Sequence, residues 1–188
     1  MANHMETIIT IKNGDSKVAE KLKEIFTPKE GEHDVWTEDL TRRIFQNDSP
    51  EDIDYAWAIE NLGAKWVYSE FYLEDDDTDY VDLRLISAWS VPQGLLEKLA
   101  EVLSDIKEDC YICGTYEDES MDPCGAFIYA KDYDDIEDYD DEYDWDKEEE
   151  DDFYRENFYE KVYNLKEDMV KAYLEYLKDR EENPEDYE

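Results

Sequence analysis

Residues 132–152 read DYDDIEDYDDEYDWDKEEEDD: 15 carboxylates against one lysine, with a Tyr, Trp or Ile recurring every few positions. No other feature restricts the fold as severely. Acids at this density repel one another and oppose compaction, so the folded part must be held by aromatic and aliphatic packing. The excess is not confined to the run. Residues 1–131 carry 12 basic and 30 acidic side chains, net −18, and residues 132–188 carry 7 and 26, net −19. Against that repulsion stand 16 Tyr, 6 Phe and 5 Trp in a chain of 188 residues, enough for one domain with an extension.

The sign of the charge excludes partners. So negative a surface repels phosphate backbones and anionic headgroups and attracts basic proteins, so neither direct nucleic-acid nor membrane binding is expected. No apolar run approaches the ~20 residues of a membrane span, and the N-terminus MANHMETIITI lacks signal-peptide regions. The expectation is a soluble protein of the cytoplasm. Cys110, Cys113 and Cys124 fit a reducing compartment. In a strand, Cys110 and Cys113 face opposite ways, and His4 and His33 lie far off in sequence, so no metal site is expected. There is no glycine-rich phosphate loop and no nucleophile elbow, and the acidic run lacks the glycine of a calcium loop. Neither enzyme activity nor a cofactor is expected.

Residues 7–11, TIITI, predict a strand, and Asp15 or Ser16 can cap a helix carrying Val18, Leu22, Ile25 and Phe26. Trp36, Leu40, Ile44 and Phe45 suggest a short packed helix. SPEDIDYAWAIENLG predicts a helix capped by Ser49, opened by Pro50 and stopped by Gly63. KWVYSEFYL and YVDLRLISAW predict an antiparallel hairpin across an acidic turn. Leu95, Leu96, Leu99, Val102, Leu103 and Ile106 form one helical stripe, and two more strands follow around Met121-Asp122-Pro123. This order predicts an α+β domain over 1–131, with two main helices on one face of an antiparallel sheet. Beyond the acidic segment, Phe158, Val162, Leu165, Met169, Ala172 and Tyr176 predict an amphipathic helix within 153–188. It either folds back on its own domain or meets a partner or a second copy.

Three segments carry a resemblance. Gly63, Lys65 and Trp66 open the second predicted strand; Ala88, Trp89, Ser90 and Pro92 close the third; Tyr116, Glu117 and Glu119 end the fourth before Gly125. In this order they resemble the YubB-type ferredoxin-like domain family of tailed phages and conjugative plasmids. The resemblance covers about 1–131, departs at Leu62-Gly63 and Ser90-Val91-Pro92, and implies a ferredoxin-like sheet and a mobile-element origin. It brings no catalytic residues with it. Trp66 and Trp89 are expected in the core rather than stacked on bases.

The acidic run suggests a use for its own charge. As a helix, 132–152 would span about 31 Å with one charge per ~2 Å; as a strand, one per ~4–5 Å. Duplex DNA presents one per ~1.7 Å of axis and ~3.4 Å per strand. Asp134, Asp135, Glu137, Asp138, Asp140, Asp141, Glu142, Asp144 and Asp146 are therefore candidate phosphate surrogates. Tyr139, Tyr143 and Trp145 are candidate anchors for a partner. Tyr133, Ile136, Tyr139 and Tyr143 would share one side of a helix and dock it on the domain. The expected function is a phage DNA mimic that inhibits or redirects a basic host protein: a defence nuclease, an RNA polymerase or a nucleoid protein. The alternative is a general interaction module working through the C-terminal helix.

Overall fold

The computed structural model describes residues 3–70, 81–139, 143–150 and 153–186. Strand β1 (His4–Lys12) alternates, burying Met5, Thr7, Ile9 and Ile11 while Glu6 and Ile8 face the other way. Helix α1 (Ser16–Phe26) starts at Asp15, whose Oδ1 accepts the Lys17 and Val18 N–H groups at 2.9 and 3.0 Å. Strand β2 (Val35–Trp36) and helix α2 (Thr37–Phe45) follow, with Leu40 and Ile44 buried and Trp36 exposed.

Helix α3 (Tyr55–Leu62) begins later than its sequence suggests. Ser49 closes a short 3-10 turn, donating its hydroxyl to the Gln46 carbonyl at 2.7 Å, so it is not available as a cap. Asp54 takes that role, accepting the Trp57 N–H at 2.8 Å. Gly63, at φ 81°, ends the helix in a left-handed turn open to a residue without a Cβ.

Strands β3 (Val67–Glu70) and β4 (Val81–Ala88) pair antiparallel, and the acidic turn between them lies outside the described residues. Helix α4 (Gln93–Ile106) buries Leu95, Leu96, Leu99 and Leu103. Strands β5 (Tyr111–Asp118), β6 (Cys124–Ala130) and β7 (Tyr133–Asp138) come next, then helices α5 (Trp145–Glu150) and α6 (Tyr154–Glu182).

The result is an α+β fold around one seven-stranded sheet, in the order β2-β3-β4-β1-β5-β6-β7, with every neighbouring pair antiparallel. Residues of α1 to α4 share the main core with one side of the sheet, including Ile9, Phe26, Leu62, Leu85, Leu99 and Phe127. The helices are not confined to that face. Helix α6 lies on the other, seating Met169 and Tyr173 on Tyr111, Cys113, Ala126 and Ile128. Its apolar stripe thus meets its own sheet, the fold-back option of the two the sequence left open.

Cys110 joins the main core and Cys113 the α6 side, as strand alternation requires. Trp66 and Trp89, expected in the core, are not part of it. Trp66 stacks on Tyr68 at 6.1 Å, and Trp89 is 53 % exposed with Lys65 Nζ 5.0 Å from its ring centre.

Candidate functional site: an acidic sheet edge

The acidic run is neither one helix nor one extended rod. Its first part is β7, the last strand of the sheet, paired with β6 from Ala130↔Tyr133 to Gly125↔Asp138. Period-two alternation therefore separates residues that a helix would have gathered. Tyr133 packs on Tyr173 and Tyr176 of α6, with ring centres 4.9 and 5.1 Å away. Ile136 turns to the opposite side and packs against the main core. The pairing with β6 satisfies backbone groups, and each face supplies an apolar seat; a helix here would have only one.

The same alternation distributes the acids. Asp134 and Asp138 lie on the α4 side of β7, and Asp135 and Glu137 on the α6 side. Asp134, Glu137 and Asp138 are exposed and Asp135 is half-buried. Asp138 Oδ1 accepts the Tyr116 hydroxyl at 2.5 Å, which fixes one carboxylate of the edge. Burial, then that bond, drives the Tyr116 phenol well above its ordinary pKa, so it stays a donor. Asp134 faces the outer side of α4. There Glu97, Glu101 and Asp105 recur every four residues, a step of about 6 Å along the helix, around a depression of about 470 Å3. The Glu97 pKa is raised, first by burial and then by the nearby charges of Asp134 and Glu101. The strand acid Asp134 and the helix acid Glu101 thus act on the same carboxyl, in a depression that Lys131 also lines.

The second part of the run turns at Tyr143 into α5. Asp144 caps this helix, its Oδ1 accepting the Asp146 and Lys147 N–H groups at 3.1 and 3.3 Å. The Asp144 N–H donates to the Tyr154 hydroxyl at 3.0 Å. Asp146 is exposed. The expected anchors Tyr139 and Tyr143 turn inward instead of towards a partner. Tyr143 is 7 % exposed, its ring centre 4.9 Å from that of Phe158, and Tyr139 sits 5.4 Å from the same ring. With Met121, Cys124 and Val162 they form a separate small core. Burial, with the nearby negative charge of Glu148, pushes the Tyr143 phenol up to about 12. Asp140, Asp141, Glu142 and the side chain of Trp145 lie outside the described residues.

The interleaved aromatics thus fasten an acidic edge to its own domain. Sequence reasoning missed the contribution of α4. Its signal was present in the four-residue spacing of Glu97, Glu101 and Asp105 opposite the leucine stripe. Among the described residues no group of His, Cys, Asp and Glu is arranged to hold a metal ion, and no helix is long and apolar enough to cross a membrane. Compared with known proteins, the chain matches no family model, no curated protein and no solved structure.

Proposed function

We propose that this chain is a phage-encoded, non-enzymatic DNA mimic that occupies the basic nucleic-acid channel of a host protein in the cytoplasm, such as a defence nuclease, an RNA polymerase or a nucleoid protein. One observation carries the reading. The carboxylates of β7 stand on a hydrogen-bonded sheet edge beside the outward row of α4, so the negative field is held in place rather than spread along a loose tail. A preordered array loses less side-chain and loop entropy on binding. The phage origin rests on the YubB-type resemblance. Two of its segments lie together in space: Ser90 Oγ donates to the Gly63 carbonyl at 2.5 Å, and Lys65 lies over Trp89. The order β3-β4-β1-β5, with α1 and α4 as crossover helices, supports a ferredoxin-like core.

The rival reading, a module acting through the apolar stripe of α6, would require Met169 and Tyr173 to leave the sheet on which they are buried. The test neutralises Asp134, Asp135 and Glu137 together (Asp→Asn, Glu→Gln). Binding of a basic DNA-binding protein captured from host lysate should weaken, as should displacement of its DNA, and both should fall steeply with added salt. Undiminished displacement at every salt concentration defeats the reading.

A further inference from the structure

Helix α6 covers only part of its face of the sheet. Strands lie ~4.8 Å apart and packed helices ~8–10 Å apart, so one helix shields about two strands. Helix α6 is seated on β5 and β6 and on Tyr133 of β7. The next two strands in the order are β1 and β4. Between α6 and β1 runs a groove of about 520 Å3. Its apolar sides include Ile8 of β1, 43 % exposed, and Tyr163 of α6, 52 % exposed. Glu6, Glu117, Glu156 and Glu160 also line it, and none of the described residues lining it is basic. Glu6 is already engaged, its two carboxylate oxygens accepting Arg84 Nε and Nη2 of β4 at 2.6 and 2.8 Å, so the carboxylates left to face a partner are Glu156 and Glu160 on α6.

We infer that this groove receives an amphipathic, lysine- or arginine-bearing helix of the partner protein, laid beside α6 over β1 and short of Arg84 on β4. The apolar sides take its apolar stripe, and Glu156 and Glu160 select its basic flank. A second copy of this chain is the wrong occupant, because its own charge of −37 would be brought against these acids. The inference rests on the reading of the protein as a binder of basic proteins, but it places a contact on the flank of α6 away from β7.

The probe is a labelled leucine–lysine peptide of about 18 residues with leucine at helical spacing, compared with an oligolysine of equal charge by fluorescence anisotropy on the full-length chain. The wild-type protein should prefer the amphipathic peptide by about tenfold, the order expected from covering Ile8 and Tyr163. Ile8→Ser/Tyr163→Ser should remove that preference and leave oligolysine binding unchanged. Ile59→Ser, which alters an exposed apolar residue of α3 outside the groove, should leave the preference intact. Equal affinities in the wild type, or a preference that survives the double substitution, overturns the inference. So does self-association that is abolished by Ile8→Ser/Tyr163→Ser. Neutralising Asp134, Asp135 and Glu137 should weaken both peptides alike, so a failure of the DNA-mimic reading shows in DNA displacement and not in this preference.

Discussion

Replacing Phe158 with alanine would unfasten the acidic edge without changing its charge. The ring is 3 % exposed, and the rings of Tyr139, Tyr143 and Tyr154 surround it with centres 5.4, 4.9 and 6.4 Å away. Removing a buried phenyl group costs about 3 kcal/mol or more. The cluster it closes is separate from the main core. The loss should therefore appear as local opening of the segment around Tyr143 and α5, with α1 and α4 holding. At 1.4 kcal/mol per decade, about 3 kcal/mol is roughly a hundredfold fall in hydrogen-exchange protection there. Binding should suffer too. Asp144, Asp146 and Glu148 would have to be ordered on association, at ~0.5–1.5 kcal/mol per side chain, which lowers affinity by about ten- to a thousandfold. The assay pairs hydrogen exchange with displacement of DNA from the partner, at a net charge still −37. If exchange accelerates but displacement does not change, rigidity contributes nothing and charge alone drives binding. If the Tyr143 segment stays protected, the fastening role of the small core is wrong.

Two further substitutions test the scaffold. Burial raises the Glu117 pKa above its ordinary 4.5, with the bond from the Tyr159 hydroxyl pulling the other way, so the native state favours the protonated acid. Stability from this group is fully present below the unfolded value and is lost as pH rises through the folded one. Glu117→Gln should flatten the decline in urea midpoint as pH rises above the ordinary 4.5, and an unchanged slope would contradict the assignment. Gly114→Ala should destabilise the protein by several kcal/mol. A Cβ there would lie 1.9 Å from the Ile8 carbonyl oxygen and 2.6 Å from Cζ of Phe127, so β1, β5 and the ring over them must all shift. A urea midpoint equal to wild type would refute that close approach.

Much of this molecule can be read locally. Asp15 caps α1, Gly63 ends α3, the leucines of 95–103 lie on one helix face, and the strands of residues 4–12, 67–70, 81–88, 111–118 and 124–130 alternate in or near their predicted places. These follow from backbone chemistry and periodicity, which neighbouring residues carry between them. Likewise, the density of acids alone requires that the stretch after residue 131 stay at the surface, since unpaired charges are too costly to bury.

The conformation of that stretch was not legible in the same way. Apolar positions at 133, 136, 139 and 143 fit helical spacing as well as any in the chain, yet β6 offered an unpaired edge, and the two faces of the sheet offered separate seats for Tyr133 and Ile136. Only tertiary structure supplies those partners. It also brings Glu97 beside Asp134, turns Tyr139 and Tyr143 onto Phe158, and leaves β1 and β4 outside the cover of α6. Which residues are acidic was settled by sequence; which of them act as a single field was settled by distance, because the Coulomb interaction depends on separation in space and not along the chain.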